Sequence, residues 1–185
     1  ANLRHSPVVL KSSPRQLIAS VRQIIPSWNN LAEWKQEQLN TIEHNLKDTN
    51  LLINAPTILI YHQEAFQESH VDVEIGRFLK RHPQHIEIDK NNDSLQISSL
   101  PAINHLATSI HIGEIGSISE TYASLAGWTQ TNGFRAIGPW RELTFPQEDP
   151  CETKVIEVQR PVMKAIKFYT QLEVNKMEPK IITKP

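Results

Sequence analysis

Apolar positions recur at helical spacing in two separate stretches of the chain. Leu31, Trp34, Leu39, Ile42 and Leu46 fall on one stripe with a period near 3.6, and Ile118, Tyr122, Leu125 and Trp128 do the same. Ser117 or Ser119 offers a cap for the second helix, and Gly133 after Thr131-Asn132 offers its stop. A strand-like run precedes each helix, at residues 15–25 and 106–112, and two more follow each one. Those following the first helix span 57–61 and 71–78; those following the second span 140–145 and 154–158. Polar loops with Gln63-Glu64 and with residues 146–150 separate the members of each pair, which predicts two hairpins. The pattern is a β-α-β-β unit used twice.

Spacing supports a duplication. Pro56 and Glu74 stand 18 positions apart, and so do Pro139 and Glu157. One helix over three strands cannot close a core alone. The expected fold class is therefore α+β: two pseudo-symmetric repeats join in one antiparallel sheet, with both helices on one face and a ligand groove at the join. The other face is expected to be concave or open. The domain is expected over residues 1–162, with repeat one about 7–79 and repeat two about 95–162. Residues 80–94, rich in Lys, His, Asn and Asp, suit a solvated linker. Residues 163–185 form a tail with helical character around 164–172.

Charge and composition narrow the classes. With 19 Lys+Arg against 20 Asp+Glu, the net charge of −1 argues against a nucleic-acid-binding surface on this domain. A 39% hydrophobic content is that of a folded chain. No apolar run approaches the ~20 residues of a membrane span, and no signal-peptide pattern opens the chain, so a cytoplasmic location is expected. The single Cys151 excludes an intramolecular disulfide and has no Cys-His signature around it. The 8 histidines show no metal-ligand spacing: His82 and His85 flank a proline in polar chain, and His44, His62, His70, His105 and His111 are scattered. No metal and no cofactor are expected.

Candidate chemistry centres on Glu142. Strand alternation puts Trp140, Glu142 and Thr144 on one face, with Arg141, Leu143 and Phe145 on the other. The repeat alignment places Thr57, Leu59 and Tyr61 at the matching positions. A carboxylate flanked by Trp140, Leu59 and Tyr61 is a partly desolvated anion among rings, a setting for an organic cation. Desolvation would also raise its pKa, as a general acid or base requires. The alternative is an edge-strand glutamate in water or paired with Arg141 or Lys154. Glu74 and Glu157 hold equivalent hairpin positions; a carboxylate pair for acid–base work and simple structural duplication both explain them.

Several stretches together resemble the GyrI-like, or AraC-type, effector-binding domain, above all the C-terminal ligand-binding modules of MerR-type transcriptional regulators. They are residues 8–11 and 18–26, then 61–66 followed by 71–74, then 100–102 and Tyr122 to Trp128. Asn132-Gly133, Gly138-Pro139 with Arg141-Glu142, and Glu157 with Pro161-Val162 complete the series. The resemblance covers about residues 7–162. It implies two fused β-α-β-β units and a groove between them, with Glu142 facing the bound compound. The family pattern usually has an aromatic two positions beyond this glutamate, where this chain has Thr144 followed by Phe145. The expected ligand-binding set is Glu142, Trp140, Tyr61, Leu59, Thr144, Phe145 and Glu157. The expected function is binding of a small hydrophobic or cationic effector for a bacterial-type transcription regulator, with multidrug-type breadth. DNA would be contacted only through a domain absent from this chain, no membrane is involved, and a homodimer is left open. The alternative is a stand-alone hydrolase that detoxifies reactive small molecules through a pocket glutamate; a gyrase-inhibitor-type interaction module is a third reading.

Overall fold

The computed structural model describes residues 5–63, 66–83, 95–147 and 154–165. In chain order the elements are β1 (Val9–Ser13), β2 (Gln16–Ser27), α1 (Leu31–Leu46), β3 (Thr57–Tyr61), β4 (Ser69–Leu79), β5 (Leu95–Leu100), β6 (Ile103–Ile112), α2 (Ile118–Thr131), β7 (Phe134–Ala136), β8 (Trp140–Thr144) and β9 (Val155–Lys164). Both helices and both hairpins lie where the apolar pattern puts them. Gly133 does close α2, with φ of 71°. Ser117 holds the N-cap position, but its hydroxyl donates to the Glu114 carbonyl instead of receiving a helix N–H.

The sheet is antiparallel throughout, in the order β1-β6-β9-β8-β3-β4-β2-β5, with β7 added to the end of β9. Equivalent strands of the two repeats, β3 and β8, meet at the seam, where Leu59 pairs with Glu142. A single row of one face therefore runs Val21, Ile75, Leu59, Glu142, Val158, Ser109. Trp34, Ile42 and Leu46 of α1 pack with its first three members, and Leu125 of α2 packs with Val158. Both helices thus cover the same face, and Glu142 sits on that face at the join.

Three strands were not anticipated as elements of their own: β1, β5 and the short β7. β1 joins the edge of the second repeat by pairing with β6, and β5 joins the edge of the first by pairing with β2. β1 and β2 are three residues apart, from Ser13 to Gln16, yet hold the first and seventh places in the sheet. Six steps of about 4.8 Å would separate them by ~29 Å in a flat sheet. Three extended residues reach only ~11 Å. β5 and β6 impose the same condition, so the sheet must curl until its two edges approach. The helix-free face becomes the concave one. It buries Ile18, Ile58, Ile60 and Phe78, and with them the polar Ser20, Thr108, Arg141, Glu157 and Gln159.

β9 runs to Lys164, two residues past the expected end of the second repeat. Most of the 80–94 connector, the Pro150-Cys151 turn, His85 and the tail beyond residue 165 lie outside the described residues.

Candidate functional site

Strand alternation on β8 delivers Trp140 and Glu142 to the helix face, and β3 delivers Tyr61 opposite Trp140. α2 crosses above them and lowers Tyr122 onto the same carboxylate. Glu142 Oε1 accepts a hydrogen bond from Tyr122 Oη at 2.6 Å and another from Tyr61 Oη at 3.2 Å. Glu142 is only 6% exposed, and Oε2 accepts no hydrogen bond among the described residues. Burial, and then the charge of Glu142, pushes both phenols well above their ordinary value of 10.0, so both stay protonated and donate.

These groups form the floor of a cavity of about 500 Å³ between α1 and α2. Its walls are aromatic. Phe66 stacks on Trp28 with ring centroids 5.7 Å apart, and Trp28 leans on Tyr61 at 5.5 Å. On the other side Trp140 meets Tyr122 at 4.8 Å, and its ring also carries the Arg160 guanidinium at 4.7 Å. Lys35 of α1 also lines the cavity. Burial pushes its amine below the ordinary lysine value of 10.5; Glu142 acts against this and Lys154 adds to it. Lys35 makes no ion pair within 4 Å among the described residues.

Of the expected site residues, Glu142, Trp140 and Tyr61 come together in this cavity. The others stand apart from its wall. Leu59 pairs with Glu142 but lies beneath, in the α1 core. Thr144 shares the face without lining the cavity, and Phe145 lies one residue past the end of β8. Glu157 is displaced by strand alternation onto the concave face, where it pairs with Lys11 at 2.6 Å and accepts from Gln159 at 2.7 Å. Glu74 is on that face too, held by Ser20 Oγ and His62 Nε2, each at 2.6 Å. Burial alone would raise the Glu74 carboxyl, but these two hydrogen bonds, together with the nearby charges of His62 and Arg22, hold it below the ordinary carboxylate value. No second carboxylate lines the Glu142 cavity among the described residues. Nor do three or more His, Cys, Asp or Glu side chains converge among them in a way that could hold a metal ion.

Solved structures share this architecture. The EcmrR C-terminal domain superposes with a TM-score of 0.74 at 22% identity, over 88% of this chain and 100% of its own. The fold is the GyrI-like effector-binding fold. In the EcmrR–DNA complex the match has a TM-score of 0.72 at 24% identity and covers 88% of this chain; there this chain spans 59% of EcmrR. A hydrolase from Listeria innocua matches the GyrI-like fold of this chain with a TM-score of 0.62 at 10% identity, over 85% of this chain and 92% of its own. SAV2435, solved bound to tetraphenylphosphonium, matches with a TM-score of 0.56 at 10% identity, over 85% and 94% of the two chains. No protein-family model matches the sequence, and no curated protein does either. No helix among the described residues is long and apolar enough to cross a membrane.

Proposed function

We infer that this GyrI-like domain binds a small hydrophobic cation in the cavity between α1 and α2, as the effector-sensing part of a transcription regulator. The observation that carries this is Glu142: a buried carboxylate with one oxygen held by two tyrosines and the other unpartnered, inside a cavity walled by aromatic rings. An organic cation can meet the free oxygen of this carboxylate while the rings supply dispersion and cation–π attraction. Two fold neighbours support the reading from outside the chain: SAV2435 holds tetraphenylphosphonium, and EcmrR forms a complex with DNA. DNA contact would belong to a domain other than this one. The hydrolase alternative keeps Glu142 as a base, but must do without Glu74 or Glu157 as its partner.

Titration with methyltriphenylphosphonium, beside neutral triphenylphosphine oxide, tests this reading. Glu142→Gln is expected to weaken the cation by at least ~10-fold, the value of one charge-assisted contact, and to leave the neutral compound unchanged. Equal losses for both compounds would overturn the charge assignment. Glu142-dependent turnover of an electrophilic substrate would favour the hydrolase.

A further inference from the structure

Arg141 leaves β8 on the side opposite to Glu142 and enters the concave face between Ile60 and Gln159. It is 6% exposed, and its Nε is sealed from solvent without any acceptor among the described residues. No carboxylate among the described residues lies within 4 Å of its guanidinium. The two nearby acids of this face are already engaged: Glu74 by Ser20 and His62, Glu157 by Lys11 and Gln159. Burial pushes the guanidinium below the ordinary arginine value, and the charge of Glu74 acts only in part against this. A buried cation without a partner destabilises a fold, and an apolar side chain of similar volume is commonly better tolerated there. Its presence points to an occupant.

The space for one is adjacent. Arg141 lines a cavity of about 750 Å³ where the β5–β6 turn, the β7–β8 turn and the end of β9 meet. Ile103, Ile137, Pro139 and Met163 give it apolar walls, its other ionisable members are His105 and Lys164, and no Asp or Glu among the described residues lines it. Lys164 Nζ stands 4.5 Å above the Phe134 ring, which holds a second positive charge at the margin. This cavity shares no residue with the Glu142 cavity.

We propose that this cavity is a second ligand site, which takes an amphipathic anion with its carboxylate on Arg141 and its apolar chain against Ile103, Ile137 and Met163. The forked donors of a guanidinium match a carboxylate with two parallel hydrogen bonds, which the unpaired Arg141 is free to make. The site has the opposite charge and the opposite face of the sheet from the Glu142 cavity, so it stands independently of the cation reading.

Calorimetric titration of the full chain with octanoate, beside 1-octanol of equal chain length, tests the proposal. Octanoate is expected to saturate one site and to bind at least ~10-fold more tightly than 1-octanol, the preference expected of a charged hydrogen bond. Arg141→Met should abolish that preference while leaving the affinity for methyltriphenylphosphonium unchanged. In the unsubstituted protein, the Arg141 Nε–H resonance should shift as octanoate saturates, a readout independent of whether the variant folds. Absence of octanoate binding, an unaltered preference in Arg141→Met, or a stationary Nε–H resonance at saturation would each overturn it.

Discussion

Glu142 owes its position to two constraints that act on different residues. Period-2 alternation on β8 turns it toward the helices, and the repeat symmetry sets it against Leu59 at the seam. Two phenols then hold one of its oxygens and leave the other free. Glu142, Trp140 and Tyr61 were legible in the sequence because alternation and repeat spacing need only local arithmetic. Tyr122 was not: at helical spacing it belongs to the apolar stripe of α2, and only the placement of that helix over β8 aims its hydroxyl at the carboxylate. Lys35 was hidden for the opposite reason, since a lysine beside an apolar stripe suggests a solvated flank. Its presence sets a further expectation. A cationic ligand must share the cavity with this amine, so the ligand should bind more tightly once the amine is neutral. Because burial lowers the Lys35 pKa, affinity should rise as pH increases through that value, below 10.5. Lys35→Met should tighten methyltriphenylphosphonium by about 3- to 10-fold near neutral pH, as removal of a nearby like charge at intermediate dielectric predicts, and should remove the pH dependence. Fluorescence titration across pH checks both.

At the scale of elements, the two helices and the four hairpin strands follow from apolar periodicity, while β1, β5 and β7 escape it. VLKSS and LQISSL are short edge strands of mixed polarity whose partners lie far away in the chain, so local pattern carries little of their signal. Their pairing has a mechanical consequence. β1 adjoins β2 in the chain but hydrogen-bonds to β6 of the other repeat. Deletion of residues 1–13 should therefore raise amide exchange first along β6, from Ile103 to Ile112, and much less along β2, which keeps β4 and β5 on its two sides. Hydrogen exchange read residue by residue measures this. Faster exchange along β2 than along β6 would contradict the exchanged pairing.

Across the whole molecule, a net charge of −1 conceals two cavities lined by side chains of opposite charge. Consecutive residues of one strand supply those charges: Glu142 to the helix face and Arg141 to the concave face. The curl of the sheet, which the short connections at Ser13–Gln16 and Leu100–Ile103 require, is what turns the second face inward and buries its polar groups. No residue total reveals that, because it depends on which strands pair. Where a bound cation lies is the most direct test of the function inferred here. A crystal structure of the chain with methyltriphenylphosphonium should place the phosphonium between α1 and α2, above the free Oε2 of Glu142, with its phenyl rings against Trp28, Tyr61 and Trp140. A compound bound elsewhere, with the Glu142 cavity empty at saturating concentration, would contradict it.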